Sequence, residues 1–261
     1  MATPARDPDN LTPELIHQAT DDLLALVGKR LPERFYPGDV TWRWVLTALI
    51  ARMMGTLESL RPLADPQRQT DALVLLRSLY ENVVTFMWLA IDPEPRVQEW
   101  HAAALYQRSV LHREARPYGA REVLSEEELQ QADKAKLKPL QQLAAEVDDH
   151  WGPKIKGLYS HPADGGKHIL TLEGLYVGVF RIASGRAAHA TLEAIDAWVE
   201  PTTNDRIVVN LSPRPEPLQW SGLAIPLFTI ALTVAHERLG WPDEEAAREI
   251  NAALMHEPPS G

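Results

Sequence analysis

Apolar residues recur at intervals of three and four along most of this chain of 261 residues, which is the pattern of amphipathic helices. Start signals support this interpretation, because Thr12-Pro13-Glu14 places a capping hydroxyl, a first-turn proline and an acidic residue in order. Stop signals such as Gly240-Trp241-Pro242 end the pattern. The sequence predicts about seven or eight helices, over about 12–28, 41–60, 69–91, 96–113, 125–147, 169–199, 218–239 and 242–255.

The predicted helix over 69–91 is apolar around most of its circumference, which is typical of a helix at the centre of a core. Its polar residues form one narrow stripe, made of Arg77, Ser78, Glu81, Asn82 and Thr85. Arg77 and Glu81 stand four residues apart, so their side chains can meet on one face. Two interpretations stay open: the stripe forms a structural pair, or it faces inward onto a polar cavity.

The region near 201–217 breaks the helical pattern. It is rich in proline, and Arg206 to Leu211 is short and β-branched, which predicts a strand or an extended arm. The fold class predicted is therefore all-α: a single-domain multi-helix bundle over 1–261 with one short irregular or β-like insert near 201–217. We expect a core over about 11–240, a C-terminal helix over 242–255 and loose ends.

Charge and composition exclude several classes of function. The net charge of −10 and the pI near 5.4 disfavour bulk nucleic-acid binding and an anionic membrane surface. The chain has no cysteine, which removes disulfides, thiolate metal sites and cysteine nucleophiles. It has no phosphate loop, dinucleotide fingerprint, nucleophile elbow or zinc-protease motif. The apolar runs are short and the N-terminus is polar, so we expect a cytoplasmic protein with no membrane association, no metal and no cofactor.

A second polar cluster lies in the least regular stretch, where Tyr159-Ser160-His161 precedes Asp164 and His168. The residue types are those of a hydrolase, but no nucleophile elbow surrounds the serine. The alternatives are a loop that caps helix ends, or one side of a site, because polar loops on a rigid scaffold commonly carry function. The candidate polar pocket is built by Arg77, Glu81, Tyr159, Ser160 and His161.

An alternative site is suggested by Arg96 and His101, which are five residues apart on a predicted helix. This spacing is similar to that of ribonucleases of the HEPN type, in which arginine holds the phosphate and histidine does acid–base work. Arg77 and His161, brought together by folding, would be a second version of the same pair.

The motifs of the central helix also resemble a known family. The run Leu76-Arg77-Ser78-Leu79-Tyr80-Glu81, the aromatic residues up to Trp88, Asp92-Pro93 and the later Tyr159-Ser160-His161 are similar to a bacterial helical family, the domain of unknown function 5677. The resemblance spans roughly residues 40–235. It implies an Arg-x-x-x-Glu helix followed by a Tyr/Ser/His-bearing turn, no settled activity, and relatives that are suspected of accessory or defence-associated roles.

Three functional hypotheses follow. The first is a cytoplasmic helical protein whose polar pocket binds a small polar or anionic ligand, or supports contact with a protein partner. The second is a metal-independent ribonuclease of the HEPN type. The third is a structural module that forms a homodimer through the helix bearing Gly174, Gly178 and Gly185. These interior glycines suggest either close approach by a neighbouring backbone or a break in the helix near Ser184-Gly185.

Overall fold

A computed structural model describes residues 10–31, 41–118, 125, 127–128, 138–155, 171–188, 199–201, 207–209 and 215–255. These residues form an all-α, multi-helix fold, which confirms the predicted fold class. The α-helices of the described residues are α1 (Pro13–Gly28), α2 (Thr41–Leu60), α3 (Gln69–Ile91), α4 (Pro93–Ala115), α5 (Leu140–Ile155), α6 (Leu172–Leu175), α7 (Gln219–Leu239) and α8 (Glu244–Met255). Short 3-10 turns cover Arg61–Leu63, Pro66–Arg68 and Arg116–Tyr118.

The local signals in the sequence explain where several helices begin and end. The hydroxyl of Thr12 accepts a hydrogen bond from the backbone N–H of Leu15 at 3.4 Å, and Pro13 occupies the first turn of α1. At the other end of the chain, Gly240 terminates α7 with φ 75°, a left-handed conformation that favours glycine. Its N–H donates to the carbonyl of His236 at 3.1 Å.

Helix α3 lies at the centre of the core, as predicted. Its faces pack mainly against α7, α2 and α5. Residues 66–91 and α7 are each long and apolar enough to cross a membrane, but 61% and 78% of their most apolar windows are buried inside the protein. Core helices of soluble proteins have the same length and composition, so the two helices are weak evidence for a membrane span.

The C-terminal end of α3 is held by side chains from three other helices. The carbonyl of Trp88 accepts a hydrogen bond from Arg96 on α4 at 3.0 Å, and that of Ile91 accepts one from Arg238 on α7 at 3.1 Å. One turn earlier, the carbonyl of Met87 accepts from the indole of Trp151 on α5 at 3.0 Å. The last carbonyls of a helix lack partners within the helix and carry partial negative charge, so two arginines satisfy both needs.

The predicted helix over 125–147 is not continuous. The capping box does form: the N–H of Glu128 donates to the Ser125 hydroxyl at 3.2 Å, and the Glu128 carboxylate accepts from the N–H of Ser125 at 2.7 Å. However, Lys138 and Pro139 are not helical, and α5 starts only at Leu140 and runs on to Ile155. A proline disfavours the helical conformation of the residue before it, which explains the break.

The predicted helix over 169–199 is helical over 172–188, where the structure describes it, but its predicted last residue, Val199, lies in a strand. Helix α6 covers only four residues and continues as π-helical turns over Tyr176–Arg181 and Ser184–Ala188. Val199–Pro201 forms a strand, β1, which pairs antiparallel with β2 at Ile207–Val209. The insert near 201–217 is therefore β-like at one point, but its first strand begins two residues before the predicted insert.

In the part of the chain that the structure describes, the glycines of this segment do not pack closely against another backbone. A Cβ atom added at Gly178 or at Gly185 would meet nothing within 4 Å, and one added at Gly174 would lie 3.1 Å from the hydroxyl of Thr171. Among the described residues, no neighbouring backbone approaches these three glycines, and approach by a second molecule stays a prediction.

Candidate functional site

The polar stripe of α3 does not face a single direction. Arg77 is half-buried, and its guanidinium carbon lies 4.4 Å from the ring centre of Phe180, in the π-helical segment. Glu81 is exposed, and among the described residues it forms no ion pair with Arg77. Asn82 is buried, but its amide donates to the carbonyl of Ser78 in the same helix at 2.8 Å. The stripe therefore contributes to two surfaces.

Glu81 and Thr85 line a groove, which we call the α3–α4–α5 groove. It has a cavity of about 180 Å³. Its lining residues come from α3, α4, Lys138 just before α5, and the first turn of α5. They are Glu81, Thr85, Trp100, Ala104, Gln107, Lys138, Leu140 and Leu143. Carboxylate, hydroxyl and amide groups share this groove with an indole and two leucines, so it offers both polar and apolar contacts.

Helical spacing explains why these residues meet. Glu81 and Thr85 stand four residues apart on α3, and Trp100, Ala104 and Gln107 follow at intervals of four and three on α4. Each helix therefore presents one stripe to the groove. The Asp92-Pro93 junction ends α3 and begins α4, so the two helices follow each other directly along the chain. The small side chain of Ala104 leaves space between its larger neighbours.

Beside the groove, Glu146 of α5 connects this helix to α3, to α4 and to Lys138, which lies just before α5. One carboxylate oxygen accepts from the indole of Trp88 at 2.8 Å and lies 3.2 Å from Arg96; the other accepts from Lys138 at 2.9 Å. Arg96 and Lys138 also lie 4.8 and 5.3 Å from the ring centre of Trp88. Burial alone would raise the pKa of Glu146, but the hydrogen bonds from Lys138 and Trp88 and the two nearby cations outweigh it and lower that pKa.

The groove carries one carboxylate that is not neutralised. Lys138 is paired with Glu146 and also lies 3.9 Å from Glu99. Arg96 is paired with the same Glu146. Glu81 has no hydrogen-bond or ion-pair partner among the residues that the structure describes. Among the described residues, the three carboxylates Glu81, Glu99 and Glu146 and the two cations Arg96 and Lys138 leave an excess of one negative charge, and Glu81 is the carboxylate without a paired cation.

The predicted pocket residues on the later turn cannot be compared with the groove. Tyr159, Ser160 and His161 lie outside the described residues, in the range 156–170. The contact of Arg77 and Glu81 with that turn therefore stays a prediction, as does the pairing of Arg77 with His161.

Arg96 and His101 both lie on α4, and their role as a ribonuclease pair stays a prediction. Arg96 is engaged by the Trp88 carbonyl, the Trp88 ring and the Glu146 carboxylate. His101 is exposed on α4. Residues five apart on an α-helix point about 140° apart around its axis, so the two side chains leave α4 on different sides. In the part of the chain that is described, no group of three or more His, Asp or Glu side chains could hold a metal ion.

The start of α6 is held by a partly buried polar cluster. The Asp148 carboxylate accepts from the N–H groups of Leu172 and Glu173 at 2.9 and 2.8 Å. The hydroxyl of Tyr80 donates to the Leu172 carbonyl at 2.6 Å. Burial raises the pKa of both Asp148 and Tyr80, and the N–H donors only partly offset this for Asp148. All these groups satisfy each other, so we interpret the cluster as an anchor of the segment that begins at Thr171.

Several groove residues were missed by sequence reasoning. Trp100, Gln107 and Lys138 were not candidate site residues, because each looks like an ordinary member of an amphipathic helix or a charged face. The spacing of Trp100, Ala104 and Gln107 on one face was the available signal. Lys138 carried none, since its position depends on how α5 packs on α3.

The fold and the groove define an all-α protein with a small surface cavity. A family model described as a family of unknown function, DUF5677, matches residues 43–207, which is more than half of the chain. The chain belongs to this family, and the resemblance expected from the motifs of α3 is confirmed. A search of curated proteins found no match to the chain. A search of solved structures found none either.

Proposed function

We propose that the protein binds a small polar ligand in the α3–α4–α5 groove. The observation that carries this proposal is the carboxylate of Glu81, which lines a concave site without a partner among the described residues. Binding sites commonly combine an apolar wall with a few convergent polar groups. Trp100, Leu140 and Leu143 supply the apolar wall here, and Thr85 and Gln107 supply neutral hydrogen-bonding groups.

The size of the groove restricts the ligand. A cavity of about 150 Å³ holds one benzene ring, whereas sites for drug-sized molecules span roughly 300–1,000 Å³. The cavity of about 180 Å³ fits a molecule with one ring or an equally small aliphatic body. A nucleotide or a folded peptide segment would exceed it. This favours a small-molecule ligand over the protein-partner form of the sequence-based hypothesis.

The charge of the groove modifies the expectation of an anionic ligand. Arg77, the arginine of the predicted pocket, is not among the lining residues of this groove, and its guanidinium lies over Phe180. The ribonuclease alternative gains no support from the placement of Arg96 and His101. A homodimer, a cytoplasmic location and a defence-associated role stay predictions of the sequence.

Ligand-dependent stabilisation of the full chain tests the proposal. We expect at least one member of a panel of single-ring cations, neutral alcohols and carboxylates to raise the melting temperature, because a ligand that binds only the folded state stabilises it. Ala104→Leu fills the groove and should abolish the shift. Ala48→Leu introduces the same side chain on an exposed part of α2 and should retain it. A panel without any binder, or binding that Ala104→Leu leaves unchanged, would refute the proposal.

A further inference from the structure

We infer that the ligand of the α3–α4–α5 groove is a small organic cation, in which an ammonium group joined to a single ring or a similar apolar body meets the Glu81 carboxylate. This inference rests on the proposed function of the groove and adds the chemical class of its ligand.

The charges around the groove select a cation. Lys138 is the only cation among the described groove residues, and its ammonium is occupied by Glu146 at 2.9 Å. An anionic ligand would have to displace Glu146 and would still face Glu81 and Glu99. A cationic ligand instead meets Glu81, whose charge has no protein partner among the described residues. The net charge of −10 on the whole chain adds a general attraction for cations.

The neutral lining fits an ammonium group with an apolar body. An ammonium group has three N–H donors, so after Glu81 it can still donate to hydroxyl and amide oxygens. Thr85 and Gln107 supply such oxygens in the same groove. Trp100 offers an aromatic face, which attracts cations and also packs against a ring. A zwitterion such as a free amino acid fits less well, because its carboxylate would need a free cation that the described lining does not provide.

Three probes with the same ring isolate the charge: benzylamine, benzyl alcohol and benzoate. We expect calorimetric titration of the full chain to show benzylamine binding at least tenfold more tightly than the other two. Glu81→Gln should weaken benzylamine binding about tenfold, since a charge-assisted hydrogen bond becomes a neutral one. Glu58→Gln removes an exposed carboxylate of α2 outside the groove and should leave binding unchanged. Glu81 is exposed, so the folding of its variant should be unaffected, which unfolding curves would check.

The outcomes separate this inference from the proposed function. If benzyl alcohol or benzoate binds as tightly as benzylamine and Ala104→Leu abolishes that binding, the groove binds ligands but the cationic class is wrong. Equal binding of benzylamine to the wild type and to Glu81→Gln also refutes the class. If none of the three binds, or if Ala104→Leu has no effect on those that do, both the class and the groove as a binding site are refuted.

Discussion

Replacement of Glu146 by glutamine tests whether this one carboxylate of α5 links the helix to α3, to α4 and to Lys138. In the wild-type protein this carboxylate accepts from Trp88 and Lys138 and lies 3.2 Å from Arg96. Glutamine has nearly the same shape, but it has no charge and presents an N–H group where one acceptor was. At least one of the three donors therefore loses its partner.

The expected loss follows from the contacts. A hydrogen bond to a charged group contributes about 1.5–3 kcal/mol when it is buried. The side chains of Glu146 and Lys138 are 33% and 37% exposed, so water screens part of this contribution. Glutamine keeps one acceptor oxygen, and water screens part of the lost charge interaction. We therefore expect the free energy of unfolding to fall by about 1–2 kcal/mol. For a chain of this size that corresponds to a decrease in melting temperature of roughly 2–8 °C.

Denaturant unfolding of the wild type and of Glu146→Gln at several pH values is the assay. The folded-state pKa of Glu146 is lower than its ordinary value of 4.5. Its contribution to stability is therefore complete above the unfolded-state pKa and disappears as the pH falls through the folded-state pKa. The difference between the two proteins should be full at pH 7 and should shrink below about pH 4.5.

Glu99→Gln is the matched control, because Glu99 lies 3.9 Å from the same lysine and its side chain is 45% exposed. Its effect should be smaller than about 0.5 kcal/mol. Equal unfolding midpoints for the wild type and Glu146→Gln at pH 7 would refute the proposed role of the carboxylate. So would a difference that grows as the solution becomes more acidic.

Three further predictions concern stability, and unfolding curves check each. Tyr80→Phe removes one of two donors to the buried carbonyl of Leu172, which keeps the backbone N–H of Tyr176, and should cost about 0.5–1.5 kcal/mol. Tyr106→Phe, at an exposed position, should cost almost nothing, and equal effects would contradict this. Gly240→Ala places a side chain on a residue in the left-handed conformation and should destabilise the protein by about 1–2 kcal/mol. Gly55→Ala, within α2 and with nothing near its new Cβ, should stabilise the protein by up to about 1 kcal/mol. Changes of the same sign for the two variants would contradict this. Asp148→Ala removes the acceptor of two backbone N–H groups and should cost about 1–3 kcal/mol, and an unchanged midpoint would show that α6 does not need it.

Local patterns predicted much of the helical fold. The bounds of α2 and α3 agree with the predicted helices over 41–60 and 69–91, because apolar periodicity and the residues that start and end a helix are encoded locally. The break before Leu140 was missed although Pro139 signals it. The helix predicted to start at the Ser125 capping box was carried past this proline. The π-helical turns after Leu175 left no recognisable signal in the sequence.

The site was predictable only in part, because the two ends of the polar stripe meet different neighbours. Arg77 lies one turn before Glu81 and reaches Phe180, while Glu81 reaches the groove beside α4 and α5. The sequence identified the stripe but could not assign these neighbours, since they depend on packing between distant segments. The role of Lys138 depends on Glu146 and Trp88 in the same way.

The position of α7 has a consequence for anyone who isolates the family segment. The matched region ends at residue 207, yet α7 begins at Gln219 and is the principal packing partner of α3. A fragment of residues 43–207 alone would therefore leave the apolar helix α3 without its principal packing partner and the Ile91 carbonyl without Arg238. A fragment limited to that region would expose a large apolar surface and aggregate. Recombinant work on this protein should therefore retain the chain through at least Leu239.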